Sequence, residues 1–169
     1  MKPEAPDHDG GASPGLIQRL LLPLFLLGAI GTLAELVLLG HYEEIWQLIP
    51  LLLLTISLTV VAMWFIAGRP GAVLRVFQFT MLLCLVAGAL GIYLHYDSNV
   101  EFELEMNPSA RGSDLVWNSL TGAMPALAPG TMFQIGLVGL LYTYRHPVFR
   151  SQSKNAGAPL EKLKKNDEI

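Results

Sequence analysis

Glu35, His41 and His95 have the side chains of this sequence that are best suited to chemistry. Glu35 lies inside an apolar segment, where an ionisable side chain is expensive and by default indicates a functional site. Gly28 and Gly31 share its helical face, and small residues there indicate close contact with another helix. We therefore expect Glu35 to face the interior of a helix bundle.

Four more polar residues are expected at a depth similar to that of Glu35, on the other apolar segments. They are Thr55, Tyr93, Thr131 and Gln134. With Glu35 they make up a predicted intramembrane polar site. Two interpretations stay open: a buried carboxyl group that is hydrogen-bonded to such partners and holds the bundle together, or a site for an ion, a proton or a ligand.

His41 and His95 each end an apolar segment, in the similar contexts GHYE and LHYD. With Glu43 and Asp97 nearby, the two imidazoles could form a divalent-metal site. They could also ligate a haem from facing helices, or only form hydrogen bonds at the end of the bundle. The last interpretation needs no cofactor. The remaining histidines, His8 and His146, are given no role.

The familiar catalytic motifs are absent from the sequence. It has no HExxH motif, no phosphate-binding glycine loop and no Ser-His-Asp array on a catalytic scaffold. Cys84 is the only cysteine, so a disulfide within the chain is excluded. The one cluster of basic residues is small and lies next to a membrane segment, which excludes nucleic acid as a partner. These observations favour a non-enzymatic protein.

Four apolar segments have to position these residues. A hydrocarbon core of roughly 30 Å needs about 20 helical residues, and each segment is about that long. They cover residues 20–40, 45–67, 76–94 and 126–144. Of the 169 residues, 52% are hydrophobic and 15% are charged. The sequence therefore predicts an all-α membrane protein, a four-helix up-down bundle embedded in the lipid bilayer.

The basic residues predict the orientation of this bundle. When the four segments cross the membrane in alternating directions, ten of the 11 Lys and Arg residues lie on one side of the membrane and only Arg111 lies on the other. The positive-inside rule then places both termini and the 68–75 turn in the cytoplasm, at a cell membrane of bacterial type. The external side is acidic.

The four membrane segments divide the chain into three regions. Residues 1–15 form a disordered cytoplasmic tail, 16–150 the transmembrane domain and 151–169 a basic cytoplasmic tail. Within the domain, residues 95–125 form the long external loop. The turns between the first three segments are short, so these segments should be antiparallel neighbours.

The external loop contains seven residues that alternate between apolar and acidic. They are Val100, Glu101, Phe102, Glu103, Leu104, Glu105 and Met106. Alternation with a period of two predicts an extended strand, which Asn107-Pro108 should end. Ser113-Asp114 is then typical of the N-cap of a short interfacial helix through Leu120.

Glycine pairs with the spacing Gly-x-x-Gly occur in three of the four segments. They are Gly28 and Gly31, Gly88 and Gly91, and Gly136 and Gly139. The pairs predict that segments one, three and four approach one another closely. The second segment, which has no such pair, should be the most exposed to lipid.

Two functions of different classes remain. The leading hypothesis is a small assembly or accessory subunit that packs against a membrane protein partner or a second copy of itself, with the acidic loop 97–117 as its recognition surface. The alternative is a small oligomeric transporter or handler of ions, protons or metals, centred on Glu35 with His41 and His95. A haem-dependent or metal-dependent redox enzyme would rest on the two histidines alone.

Overall fold

Five α-helices and one 3-10 turn form the described part of the computed structural model, which is residues 14–68, 70–122, 124–144, 146 and 148. In order they are α1 (Pro14–Leu38), the turn Ile45–Gln47, α2 (Leu48–Ile66), α3 (Gly71–Met106), α4 (Gly112–Leu120) and α5 (Gly130–Thr143). These residues contain no strand, so the all-α class is confirmed. The tails predicted at 1–15 and 151–169 lie outside the described residues, except that α1 already begins at Pro14.

Three helical stretches are long and apolar enough to cross a membrane, which indicates a membrane protein. They are Leu16–Leu38, Ile45–Ile66 and Gly71–Met106. The first three predicted segments fall on them. The predicted fourth segment, 126–144, corresponds to α5, whose 14 residues are fewer than the about 20 that a bilayer needs.

Glycines with positive φ shape the two short turns of the bundle. Gly40 has a φ of +67°. Its N–H donates to the Val37 carbonyl at 3.1 Å, and the His41 N–H donates to the Leu36 carbonyl at 2.9 Å. This pair of bonds is a Schellman motif, which ends α1 and fixes where His41 emerges. Gly68, with a φ of +73°, turns the chain between α2 and α3.

The four helices α1, α2, α3 and α5 surround one core. α1 packs against α2 and α5, and α3 packs against the same two helices, so each of these contacts joins antiparallel neighbours. α1 and α3 therefore lie on a diagonal, where the Phe25 and Phe77 rings meet edge to face with centroids 5.1 Å apart. The apolar side chain of Cys84 is fully buried in this core.

α4 and α5 together run antiparallel to nearly the whole length of α3. Five close contacts share one register, because the two residue numbers in each add to 220 or 221: Glu103 with Asn118, His95 with Pro125, Gly91 with Pro129, Gly88 with Phe133, and Gln78 with Thr143. Residues 125–129, although they are not helical, therefore cover about the same length along α3 per residue as a helix does. Residues 125–144 as a whole match the depth of residues 77–95.

The glycine pairs of α3 and α5 lie where these helices touch. A Cβ atom added to Gly88 would lie 2.5 Å from the Phe133 backbone nitrogen, and one added to Gly136 would lie 2.8 Å from the Met81 carbonyl oxygen. Gly91 and Gly139 are equally confined, by Pro129 and Met81. The predicted close approach of segments three and four is thus confirmed.

Two expectations are wrong: that segment one packs as closely as segments three and four, and that segment two is the most exposed to lipid. A Cβ atom on Gly28 would make ordinary contact with Ile135 at 3.4 Å, and one on Gly31 would meet nothing within 4 Å. The buried share of the most apolar window is 11% for α1 and 28% for α2. α1, rather than α2, is the helix with the larger exposed surface.

Residues 100–106 are helical, so the predicted strand is also wrong. They form the last two turns of α3, which ends where the Asn107 N–H donates to the Glu103 carbonyl at 2.8 Å. Each residue added to an existing helix gains a backbone hydrogen bond, whereas a strand would need a separate partner. Pro108 is the first residue that cannot continue the helix.

The short helix after Ser113 is confirmed as α4, with a different start. It begins at Gly112, which has a φ of +59°, and its N-cap residue is Arg111 rather than Ser113. No side chain forms a hydrogen bond at this cap. Asp114 lies in the first turn, where a carboxylate is favourable to the helix dipole.

Replacing Gly88 by Ala should destabilise the isolated protein by about 1–3 kcal/mol, because the new methyl group collides with backbone rather than with a flexible side chain. Gly31→Ala is the matched control, since its methyl group enters open space and should be neutral or slightly stabilising. Thermal unfolding in detergent measures both. Equal melting temperatures for the two variants would contradict the close α3–α5 contact.

Candidate functional site

Asn99 joins α3 to the chain that returns along it. Its side chain is 3% exposed. The amide nitrogen donates to the carbonyls of Ser119 at 2.9 Å and Met124 at 2.6 Å, and the amide oxygen accepts from the Met124 N–H at 3.1 Å. One side chain thus satisfies a carbonyl at the end of α4, where helical bonding stops, and both backbone groups of Met124 in the turn that follows.

Small residues make room for this amide group. A Cβ atom on Gly122 would lie 2.8 Å from the Asn99 side-chain carbon, so only glycine fits without a shift. Ser119 is fully buried beside it and donates its hydroxyl to the Leu115 carbonyl at 2.7 Å. The end of α4 is therefore fixed against α3 by fit as well as by hydrogen bonds.

A second contact and a compact turn complete this unit. The Asn118 amide donates to a Glu103 carboxylate oxygen at 2.9 Å. In the turn between the helices, the Arg111 guanidinium donates to the carbonyls of Pro108 at 3.2 Å and Ala110 at 2.9 Å. We call residues 96–120, the last turns of α3 with α4, the projecting hairpin.

The projecting hairpin extends beyond the other helices. α3 has 36 residues and α1 has 25, and His95 lies close enough to His41, just after α1, to affect its pKa. The stretch 96–106, which follows His95 in α3, therefore extends roughly 16 Å further, given a helical rise of about 1.5 Å per residue. Because α3 is continuous, this extension is a direct continuation of a bundle helix.

The surface of the projecting hairpin combines carboxylates with large apolar side chains. The exposed carboxylates are Asp97, Glu101, Glu105 and Asp114. The exposed apolar residues are Phe102, Met106, Val116, Trp117 and Leu120. Trp117 lies on the side of α4 opposite to Ser119, whose carbonyl contacts Asn99 of α3, and Val116 and Leu120 lie on the flanks of the helix.

The helical geometry divides the predicted partner surface of residues 100–106. Glu101, Phe102, Glu105 and Met106 are exposed. Val100, Glu103 and Leu104 are half-buried, and Glu103 is the residue that contacts Asn118. The acidic and apolar residues therefore do not lie on opposite faces, as a strand would have required.

The structure brings His41 and His95 near each other. Burial, and to a smaller extent the charge of His95, lower the pKa of His41 from its ordinary value. The Nδ1 atom of His95 also lies 3.3 Å from the Pro125 carbonyl oxygen. The two imidazoles thus mark the level at which the turn after α1, helix α3 and the start of the 125–129 segment meet.

The predicted metal site is not assembled in the described residues. They contain no group of three or more His, Cys, Asp and Glu side chains that could hold a metal ion. His41 and His95 are half-buried, but Glu43 and Asp97 are exposed. The two histidines alone do not make a divalent-metal site of the predicted four ligands.

The predicted intramembrane polar site is not assembled either. Glu35, Thr55, Tyr93, Thr131 and Gln134 are all exposed, so the expectation that Glu35 faces the interior is wrong. The hydroxyl groups of Thr55 and Thr131 donate to carbonyls of their own chain segments, those of Leu51 at 2.8 Å and Ala128 at 2.9 Å. Each threonine is satisfied locally, with no bond across the bundle.

Two members of this predicted site do line one cleft. Thr131 and Gln134 of α5 face Gly28 and Thr32 of α1 across a space of 260 Å³. Apolar side chains form the remaining wall, among them Phe25. The cleft is open along the side of the bundle, and the residues that line it include no acidic or basic side chain.

Aromatic side chains fill the opposite end of the bundle, near Gly68. The His146 ring lies 5.4 Å from that of Trp64 and 5.5 Å from that of Tyr142, and Tyr142 contacts Phe77 at 6.2 Å. His146, for which we expected no role, is only 8% exposed. Its Nδ1 atom accepts the Val148 N–H at 3.4 Å, so the described contacts give it a structural role.

Sequence reasoning missed the polar contacts that link α3 to the returning chain. Asn99 carried no signal, because a single Asn in an acidic stretch looks like a surface residue. Gln78 lies within the third apolar segment and donates to the Thr143 hydroxyl at 3.1 Å. Its position one turn inside an apolar segment was a usable signal, since such polar residues often bond across helices.

The projecting hairpin presents a surface of fixed shape, because hydrogen bonds join its two helices. Asn99, Asn118 and Arg111 form the hydrogen bonds that hold its backbone in place, and its carboxylates and apolar side chains are exposed. No family model, curated protein or solved structure matches this chain.

Asn99→Ala should release α4 from α3, because three backbone groups lose their partners at once and each lost hydrogen bond costs about 1 kcal/mol or more. Amide hydrogen exchange of residues 112–122 should become much faster while that of α1, α2 and α5 stays unchanged. Asn118→Ala, which removes one exposed bond, is the matched control and should have a small effect. Unchanged protection in Asn99→Ala would contradict the role of this amide.

Acid should destabilise the protein in a way that depends on His41. Its pKa is lowered in the folded state, so the unfolded chain binds the proton more tightly. The contribution of His41 is thus complete above the ordinary pKa of about 6.5 and is lost as the pH falls from there towards the lowered value. Melting temperatures measured between about pH 7.5 and 5 should fall less steeply in His41→Gln than in the parent protein.

His95→Gln should have an intermediate effect in the same measurement, because burial is the larger cause of the shift in the His41 pKa and the charge of His95 the smaller. Identical pH profiles for the parent protein and His41→Gln would show that the His41 environment does not differ between the folded and unfolded states.

Proposed function

We propose that this chain is a four-span protein of the cell membrane that binds a partner protein through the projecting hairpin. Support for the fourth span comes from the register of α3 with the returning chain. Residues 125–144 cover the same depth as α3 residues 77–95, a length of roughly 27 Å at the helical rise. The 14 residues of α5 therefore account for only part of the crossing.

The orientation of the protein belongs to the same proposal. Ten of the 11 Lys and Arg residues lie at the Gly68 end or in the terminal segments, and Arg111 alone lies on the hairpin side. The positive-inside rule then places both termini in the cytoplasm and the projecting hairpin outside it. The hairpin side carries seven acidic residues, and its net charge of −7 + 1 = −6 suits a basic partner.

The observation that carries the recognition role is the exposure of Trp117 at 67% and Met106 at 71%, on a part of the chain that lies beyond the bundle. Apolar side chains along α1 or α2 are covered by lipid. Those in the hairpin lie beyond the about 30 Å hydrocarbon layer that the shorter helices match. Exposed aromatic residues surrounded by polar groups are typical of protein interaction sites.

The geometry favours recognition over ion transport. A transport path needs polar groups that line one route through the bundle, and the five polar residues predicted for it lie on exposed surfaces. The carboxylates Glu101 and Glu105, in contrast, are one turn apart on the exposed side of α3. They present two negative charges together to a partner.

Reversing the charge of this pair, with Glu101→Lys and Glu105→Lys together, should reduce recovery of the partner about tenfold, since each like-charge contact costs free energy at an interface. The measurement is quantitative co-purification of the full-length protein from its own membrane. Glu43→Lys with Glu44→Lys is the matched control, because these carboxylates are exposed at the same end of the bundle but outside the hairpin.

Trp117→Ala tests the apolar part of the surface in the same assay. Trp46 is the matched control, since it is 68% exposed in the turn after α1 and Trp117 is 67% exposed. We expect loss of the partner with Trp117→Ala and retention with Trp46→Ala. Equal recovery of the same proteins by all variants would rule out the hairpin as the recognition surface.

A further inference from the structure

Glu35 faces away from the rest of the bundle although it lies within a membrane helix. It is exposed, and none of the hydrogen bonds among the described residues involves its side chain. Leu38, the last residue of α1, and Leu39, which follows it, are 87% and 72% exposed. The apolar surface thus continues beyond the carboxylate, which lies about 4.5 Å from the end of the helix.

Glu35 is part of a continuous stripe of exposed residues on α1, which meets the cleft with α5 only at Leu24. At about 100° per residue, seven exposed residues lie within about 40° of the direction of Gly31. They are Ile17, Leu20, Leu24, Leu27, Gly31, Glu35 and Leu38. We call them the α1 stripe. The buried residues Phe25 and Ala29 point more than about 100° away from its centre, towards the core.

Gly31 differs from the other paired glycines in what lies next to it. The glycine pairs of α3 and α5 are already filled by neighbouring helices of the same chain, and Gly28 contacts Ile135. Gly31 has nothing within 4 Å of an added Cβ atom. It leaves a depression in the α1 stripe, one turn from the Glu35 carboxylate, where another helix can approach closely.

The charge of Glu35 decides between the possible occupants of the stripe. Lipid tails offer no hydrogen-bond donor, and acidic residues within membrane helices are typically paired. A second copy of the chain would bring a second Glu35, and the only basic residue on this side, Arg111, is bonded within its own turn in the projecting hairpin. A basic side chain on another protein would satisfy the carboxylate.

We propose that the α1 stripe binds a transmembrane helix of a different protein, which packs into the depression at Gly31 and pairs a Lys or Arg side chain with Glu35. The basic residue lies within roughly two turns of the membrane face at which α1 ends, because Glu35 has that depth. This surface is separate from the projecting hairpin, so the proposal does not depend on the hairpin binding a partner.

The test uses the full-length protein in its own membrane, with a photo-crosslinking amino acid at Leu27. The expected adduct joins the α1 stripe to a transmembrane segment that contains such a basic residue. Glu35→Lys should reduce the adduct about tenfold, because a charge-assisted contact becomes a repulsive one. Replacing the partner's basic residue with Glu should restore the adduct in the Glu35→Lys background.

Two further variants, each with a matched control, separate loss of binding from loss of folding. Gly31→Ile should abolish the adduct by filling the depression, and Ala89→Ile, on the exposed side of α3, is the matched control that should not. Glu35→Gln should weaken the adduct while it leaves the melting temperature of the isolated protein unchanged. Glu43→Gln, in the turn outside α1, should change neither.

Several outcomes would overturn the proposal. An adduct with a second copy of this chain would assign the stripe to self-association, and adducts with lipid alone would leave it as a bilayer-facing surface. A protein adduct without an intramembrane Lys or Arg, or one that Glu35→Lys does not reduce, would remove the charge pair. Glu101→Lys with Glu105→Lys should leave the α1 adduct unchanged, so the two proposals fail independently.

Discussion

The close antiparallel contact between α3 and the returning chain is the constraint on which the rest of this structure depends. In a bilayer, burial of apolar surface gives no net drive for two helices to associate, because lipid tails are as apolar as leucine. Association then relies on dispersion contacts at short distance, which glycines allow. Gly88 and Gly136 bring backbone next to backbone, and the register set there continues to Asn118.

This contact turns α3 into a rigid support for the part of the protein beyond the bundle. A membrane helix that ended at His95 would leave the whole stretch 96–125 as a loop without a support. Instead the helix continues to Met106, and Asn99 binds the Ser119 carbonyl at the end of α4 and the Met124 backbone after it. Asn99 and Glu103 form the hydrogen bonds that hold α4 to α3, and the other carboxylates and Trp117 are exposed.

Much of the fold was predictable from local pattern, whereas the sites were not. The apolar segments, the short turns and the α3–α5 glycine contact follow from composition and spacing. The strand prediction failed because an alternation over only seven residues is also compatible with a helix. The preceding residues of α3 are already helical, and they determine that residues 100–106 continue the helix. Glu35 was misplaced because Gly31 indicates close contact without saying whether the neighbour belongs to the same chain. Asn99 was missed because its partners are backbone groups 20 and 25 residues away.

The uneven packing of the helices gives α1 a distinct role. The glycines of α3 and α5 are confined by close neighbours, whereas α1 packs against α2 and α5 with side chains such as Phe25 and leaves Gly31 open. Because lipid exposure of an apolar side chain costs little, the large exposed surface of α1 is compatible with a stable bundle. An exposed carboxylate is the exception, since its cost in lipid is not offset within the described part of this chain. The least buried of the long helices therefore bears a charge that its own bundle leaves unsatisfied.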